Sequence, residues 1–324
     1  MAEIRYFEAI NQALFEEMAR DERVFLFGED VGLIGGTFRV TEGLMAEFGS
    51  RRVRDTPISE AAIVGIGAGA AMTGMRPVAE LMTLNFGMVA MDQIVNHVSK
   101  MRYMFGGQVT LPLVIRAPQG GGTQKGAQHS HSIESWFVNT PGIRVVLPST
   151  PYDAKGLLKT AIRCDDPVLF LEHELLYSTR GEVPEEEYLI PFGCSEVKRS
   201  GRDVTIIAWS RMVFEALQAA EALAEEGIEA EVVDPRTLDP LDFDTILTSV
   251  ARTRRAVVVE EGWRNVGVGA ELAARLQEDL FYELDAPVQR IGAADVPTPY
   301  AKNLERLALP DAGRIFETVL KITL

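Results

Sequence analysis

Residues 60–82 read EAAIVGIGAGAAMTGMRPVAELM: one glutamate, fifteen uncharged residues rich in Ala and Gly, then a short apolar run opened by Arg76 and Pro77. The uncharged stretch is long enough for several helical turns, and Gly74 with Pro77 marks its stop. The spacing therefore predicts a helix over 60–74 feeding a buried strand over Pro77–Met82. A strand reached through a whole helix is a crossover, and crossovers build parallel sheets.

The same alternation extends to both sides. Phe7, Ile10, Leu14 and Met18 recur at three and four, predicting an amphipathic helix from Tyr6 that closes near Asp21. Val24–Gly28 is a continuous apolar run, as expected of a strand buried on both faces. Strands are expected at Leu111–Ala117, Val145–Leu147 and Val168–Glu172, with helices over 84–104 and 151–163. From 178 to 193 the text lapses into two prolines and a charge run, read as a linker. Beyond it the alternation restarts: strands at Val204–Trp209, Ala230–Val233, Ala256–Glu260 and Val288–Ile291, helices over 211–226, 242–250, 267–282 and 303–321. The expected fold is α/β: two doubly wound domains, residues 1–177 and a smaller 194–324.

Composition narrows the function. The chain has 324 residues, 47% of them hydrophobic, enough for two cores at roughly 150 residues per domain. With 32 basic and 47 acidic residues the net charge is −15, which repels phosphate backbones and anionic membranes, so neither nucleic acid nor membrane is an expected partner. The acidic excess is denser after Cys194, with 23 acidic against 15 basic residues, and could receive a basic protein. Only Cys164 and Cys194 could pair, which excludes a disulfide scaffold and favours a reducing compartment. The uncharged stretch Ala61–Met75 is too short for a bilayer span, and residues 1–30 show no signal or transit character. A soluble cytoplasmic protein is the expectation.

Walker, nucleophile-elbow, zincin and Cys-x-x-Cys motifs are missing. Gly65, Gly67 and Gly69 mimic a dinucleotide fingerprint but fall inside the expected helix rather than in a strand-to-helix turn, so close packing is the better reading. His129 and His131 lie in the Gly-rich run GGGTQKGAQHSHS. No nearby Cys completes a metal site. An imidazole on a long loop at the carboxyl end of a parallel sheet suits proton exchange near neutrality, and a hydrogen-bonded surface loop is the plainer alternative. Glu60 also serves two readings. A carboxylate behind Ser59 at a helix start is favoured by the macrodipole. Because the residues after it are uncharged, the helix is expected to be deeply buried, with Glu60 partly desolvated at its mouth and pushed toward proton chemistry.

Several strings taken together carry a resemblance: GEDVGLIGGTFRVTEGL (28–44), RVRDTPISEAAIVGIGAGAAMTGMRPVAELM (52–82), MDQIVNHVSKMRYMFGGQ (91–108), AQHSH (127–131), STPYDAKGLLKTAI (149–162) and DPRTLDPLD (234–242). From Tyr6 to the C-terminus the chain resembles the beta subunit of the thiamine-diphosphate-dependent decarboxylating component of 2-oxo acid dehydrogenase complexes. The resemblance implies a pyrimidine-binding domain followed by a transketolase C-terminal-type domain, two beta subunits joined to two alpha subunits, and coenzyme shared at the alpha–beta boundary.

Carried over by position, Glu60 matches the glutamate on the aminopyrimidine ring, whose proton drives the ring toward its imino form. Ile58, Met82 and Phe86 match positions lining that ring. His129 matches the histidine facing the substrate, and Glu29 an acidic position assigned to proton communication between sites. The resemblance further implies a monovalent cation, K+, held by backbone carbonyls of Leu113, Ala161, Ile162, Cys164 and Asp166. The Gly-Asp-Gly motif that holds Mg2+ beside the diphosphate would lie on the alpha subunit, for this chain has no Gly-Asp pair. Other implied partners are the basic subunit-binding domain and the lipoyl domain of a dihydrolipoyl acyltransferase. ELMTLNFGM (80–88) looks closer to pyruvate and acetoin types than to branched-chain types, so pyruvate is the expected 2-oxo acid. Acetoin, branched-chain substrates and a non-catalytic scaffold role remain alternatives.

Overall fold

The computed structural model describes residues 1–323 and separates into two compact units, one of residues 1–119 and 136–192, the other of residues 120–135 and 193 onward. In the first unit six parallel strands lie in the order Arg144–Val146, Val168–His173, Val114–Gln119, Arg76–Glu80, Val24–Gly28 and Val53–Asp55. Side-chain alternation sends Val24 and Leu26 to one face of the sheet and Phe25 and Phe27 to the other. On the first face helices Tyr6–Arg20 and Pro151–Arg163 pack together over Leu26, Val78, Val114 and Phe170. On the second lies helix Glu60–Met72, whose Gly67 approaches so closely that a Cβ there would stand 2.8 Å from Leu113 Cδ1 and 3.4 Å from the Phe27 ring. Of the helix glycines, Gly67 is the one that permits this packing.

The second unit has a five-stranded sheet in the order Gln289–Ala293, Ala256–Trp263, Val204–Ala208, Ala230–Asp234 and Glu196–Arg199, parallel except for the last strand. Helices Met212–Glu225 and Ala312–Thr323 cover one face through Val213, Ala216, Leu223, Ile315 and Val319. Thr205 points the other way, to the hydroxyls of Ser249 and Thr253 on helix Phe243–Thr253, 2.7 Å from each. Helices on both faces of a mainly parallel sheet make each unit doubly wound.

Several sequence expectations are revised. Helix Glu60–Met72 is not deeply buried: Ala62, Gly65, Ile66 and Gly69 lie open, Ile66 at 58% exposure. Absence of charge marked an apolar surface, not one covered by its own chain. The single helix expected over 84–104 is three pieces: a 3-10 segment Leu84–Ala90 whose start is capped by Thr83, a π segment Asp92–Val98, and a short helix Met101–Met104. The Ser99 hydroxyl donates to Val95 O at 2.6 Å, a contact that competes with a regular helical ladder. The helix expected over 303–321 breaks at Pro310 into Lys302–Ala308 and Ala312–Thr323. Within the stretch read as a linker, Arg180–Val183 pairs antiparallel with Ala2–Arg5, and Ile190 is buried in the first unit's core.

Candidate active site

Gly28 is in register with Asp55 on one side and with Glu80 on the other. Three neighbouring strands thus end at one level, and the chain leaves them toward Glu29, toward Ile58 and Glu60, and toward Met82 and Phe86. The carboxyl edge of a parallel sheet is where open α/β folds bind ligands, because loops diverge there above a rigid floor. Gly28 has no side chain for a specific reason: a Cβ would stand 2.4 Å from Glu80 O. Asp55 fixes the loop that follows, accepting from the N–H groups of Gly32 at 2.6 Å and Leu33 at 3.3 Å.

Glu60 is the first residue of its helix and is buried, while Ser59 occupies the N-cap position without a side-chain cap bond. Glu29 is 6% exposed, and its buried Oε1 has no hydrogen-bond partner. Burial raises the Glu29 pKa above its ordinary value, and the charges of Glu60, Asp30 and Glu80 raise it further. Glu29 therefore sits where burial and surrounding carboxylates oppose its ionisation, a setting that favours its protonated form. Ile58 is 80% exposed, and Met82 and Phe86 are half-buried. Apolar surface beside carboxyl groups suits a flat heterocycle whose polar edge meets an acid while its faces meet hydrocarbon.

Beneath this edge runs a buried ion network that the motif search did not pick out. The Arg116 guanidinium bonds both Glu80 and Glu172, its Nη2 donating to Glu172 Oε2 at 2.8 Å, and the Tyr177 hydroxyl donates to that same oxygen at 2.6 Å. Burial opposes the Arg116 charge, but Glu172 and Glu80 overcome it and hold its pKa well above the usual value. Burial raises the Glu80 pKa, Arg116 opposes that shift, and Glu172 adds to it. For Tyr177, burial and then the Glu172 charge push the phenol well above its ordinary range. A partial sequence signal existed in charges within strand-like runs, Glu80 in Arg76–Glu80 and Arg116 in Val114–Gln119, and the structure sets the two opposite in register in strands buried throughout.

His129 stands apart from Glu60 in organisation, because residues 120–135 group with the second unit. The imidazole is half-buried, and its backbone N–H donates to Gly126 O at 3.2 Å. Burial lowers the pKa of His131, a bond to the Ala127 backbone opposes this, and the His129 charge lowers it further. Two carboxylates, Glu261 and Glu305, hold the feet of this loop, and two more, Glu134 on the segment itself and Glu260, act on one another. Glu261 accepts from Gly121 N–H and from the Ser132 hydroxyl, both at 2.8 Å, and Glu305 accepts from Gly122 N–H at 2.9 Å. Glu134 accepts from Trp209 Nε1 at 2.9 Å. Glu260 is pushed up to about 8 by burial and then by the Glu134 charge, against bonds from the N–H groups of Gly269 and Val268. Sequence reading missed all four, since Glu134, Glu261 and Glu305 bond partners 75 to 183 residues away and Glu260 takes a backbone N–H that no motif marks.

Among the described residues no group of three or more His, Cys, Asp or Glu is arranged to hold a metal ion. The carbonyl set expected for a monovalent cation lies at the carboxyl end of helix Pro151–Arg163 and in the strand lead-in at Leu113. Leu113 O accepts from Val168 N–H at 2.9 Å and Ala161 O from Cys164 N–H at 3.2 Å, each leaving a lone pair. Arg76 already bonds the neighbouring Arg163 carbonyl at 2.7 Å.

Comparison with known proteins also divides the chain in two, but assigns residues 120–135 to the first part. Residues 2–179 match the transketolase pyrimidine-binding domain and residues 193–315 the transketolase C-terminal domain. A pyruvate dehydrogenase E1 component beta subunit of Dictyostelium discoideum, mitochondrial by its name, is 48% identical over 99% of this chain and 91% of its own. A 2-oxoisovalerate dehydrogenase beta subunit of Bacillus subtilis is 46% identical over 97% of each. A solved split-gene transketolase, an inactive beta4 tetramer, superposes with a TM-score of 0.79 at 27% identity, covering 99% of this chain and 98% of that one.

Proposed function

The chain belongs to the beta subunits of 2-oxo acid dehydrogenase E1 components, and on that premise we propose that with an alpha partner it carries out thiamine-diphosphate-dependent oxidative decarboxylation of pyruvate and acyl transfer to a lipoyl group. The observation that carries the reading is the pair Glu29 and Glu60, two buried carboxylates at the carboxyl edge of the sheet, one with an unpartnered oxygen.

When bound, the coenzyme supplies the carbon nucleophile and electron sink that decarboxylation needs. Glu60 holds a proton shared with a ring nitrogen, and burial strengthens that bond by excluding water. Ile58, Met82 and Phe86 supply apolar contact to the ring faces. Glu29, whose pKa is raised by burial and then by its acidic neighbours, is a proton carrier one residue beyond the strand. His129 gives or takes a proton at the substrate. Mg2+ and the diphosphate fall to the alpha subunit in an alpha2beta2 assembly, since the hard-cation motif is missing from this sequence. K+ on the carbonyls of Leu113, Ala161, Ile162, Cys164 and Asp166 belongs to the same proposal, favoured by the negative end of the helix dipole. Thermal stability compared in KCl and tetramethylammonium chloride tests it; equal stability removes the cation.

The acidic second unit is assigned a basic subunit-binding domain of the acyltransferase, and the lipoyl domain is the acyl acceptor. Docking steered by charge weakens steeply with salt, and salt-insensitive affinity removes this part. No helix among the described residues is long and apolar enough to cross a membrane. A cytoplasmic site is retained in the proposal and is tested by fractionation of the source cells.

The central test is Glu60→Gln reassembled with the alpha partner. Decarboxylation should fall at least a hundredfold while assembly is unchanged. Unchanged decarboxylation in an intact assembly would favour the scaffold alternative. Preference for 3-methyl-2-oxobutanoate over pyruvate would move the substrate to the branched-chain class.

A further inference from the structure

The loop that carries His129 is closed at its neck by Gly120 N–H donating to His131 O at 2.9 Å. On each side of that neck the second unit provides a buried carboxylate. Glu261 takes Gly121 N–H and the Ser132 hydroxyl, both at 2.8 Å, one from the outgoing strand of the loop and one from the returning strand. Glu305 takes Gly122 N–H at 2.9 Å and Gln124 N–H at 3.2 Å, so it governs the outgoing side alone. Each carboxylate is acceptor-only; a glutamine in its place would turn an NH2 group toward Arg211 Nη1 at Glu261 and toward Gln124 N–H at Glu305, setting donor against donor.

Packing continues the same restraint. A Cβ on Gly121 would stand 2.9 Å from Leu309 Cδ1, and one on Gly126, at φ +78°, 3.4 Å from the Tyr300 ring. The Thr298 hydroxyl donates to Ser130 O at 3.2 Å, next to His129 itself. Arg211 Nη1 lies 3.4 Å from the outer oxygen of Glu261 and balances its charge. The loop is thus gripped at its feet and beside its histidine by side chains of the second unit.

We propose that Glu305 and Glu261 are positioning residues for His129, fixing the loop so that the imidazole is presented in one geometry. This rests on the reading of His129 as the proton-handling residue. Neither carboxylate touches the reacting atoms. Their effect belongs to the rate with substrate bound, since misplacement of a catalytic group by about 1 Å can cost on the order of a hundredfold.

The test uses the alpha2beta2 enzyme with Glu305→Gln, Glu261→Gln and His129→Ala, and with each glutamine change combined with His129→Ala. Expected for the glutamine changes are a kcat lowered roughly tenfold or more, coenzyme affinity within about twofold, and faster deuterium exchange confined to 120–135. In the His129→Ala background the same changes should cost almost nothing further, because both act through one imidazole. A full additional loss in that background means a merely structural role and overturns the inference, as does an unchanged kcat in both glutamine variants while His129→Ala is impaired. A fully active His129→Ala enzyme instead overturns the reading of His129, and the inference with it. Should Glu305→Gln fail to fold, Glu261→Gln decides alone.

Discussion

Glu260 fills the space that a side chain on Gly269 would need: a Cβ there would stand 2.7 Å from Glu260 Oε1, the oxygen to which Gly269 N–H donates at 3.2 Å. Gly267 is open for the same reason, with a would-be Cβ 2.4 Å from that carboxyl group. The Gly-Val-Gly start of helix Val268–Leu280 is therefore a socket for one acid.

That socket makes stability depend on pH. Burial and the nearby Glu134 raise Glu260 from 4.5 to about 8, with Arg290 and the two helix N–H groups opposing the shift. An acid whose folded pKa is raised binds its proton more tightly when folded. Its contribution is complete below about 4.5 and declines as pH climbs to about 8, with a ceiling on the order of 5 kcal/mol. Glu260→Gln keeps an acceptor for Gly269 and cannot ionise. Urea midpoints at pH 5, 6.5 and 8 should fall more steeply for the parent than for the variant, and parallel slopes would deny the effect.

At the sheet edge the raised Glu29 has the same sign, so ionising it costs stability as pH rises past the ordinary carboxylate range. Glu29→Gln should raise the melting temperature near neutrality by removing a buried carboxyl and, with it, the clash with Glu60, Asp30 and Glu80. If Glu29 supplies protons, decarboxylation with the alpha partner should fall at least tenfold in the same variant. Gain of stability with loss of activity is the signature of a functional acid. Higher activity would end that role.

Much of the fold was legible because helix and strand periods announce themselves over short windows. Tyr6–Arg20, Val24–Gly28 and Val168–His173 all form close to where their apolar spacing required. What escaped depends on contacts far apart in the chain. Ala2–Arg5 becomes a strand because Arg180–Val183 lies beside it, and the loop at 120–135 groups with a unit most of whose residues begin 58 positions later, at 193. The site divides likewise. Glu60 and His129 carried local signals in an uncharged helix and a glycine-rich run, whereas Arg116, Glu172, Glu261 and Glu305 draw their meaning from partners 36 to 183 residues away.

Arg116 should prove costly to neutralise. Arg116→Met leaves Glu80 and Glu172 buried without their cation, and loss of one partner of a buried ion pair costs about 3–5 kcal/mol. Tyr177→Phe removes one neutral donor to Glu172 and should cost only about 1 kcal/mol. Denaturant midpoints for the two variants read the difference directly, and equal losses would contradict the assigned charges.

The open face of helix Glu60–Met72 separates folding from assembly. A Cβ on Gly69 would meet nothing within 4 Å and one on Gly65 only Gln93 Cγ at 3.9 Å, while Ile66 beside them is 58% exposed. Replacing both glycines by alanine relieves the entropic cost of glycine in a helix, a gain of about 0.5–1 kcal/mol at each position for the chain alone. Small residues with an apolar neighbour let another backbone approach closely, and the added methyl groups would keep that backbone away. The double variant should therefore melt higher by itself yet assemble at least tenfold more weakly with the alpha partner. Gly67→Ala should do the reverse, destabilising the chain through Leu113 and Phe27. Sedimentation of the reassembled complex beside thermal melts of the separate chain distinguishes the two, and unimpaired assembly of the double variant would show that no partner packs on this face.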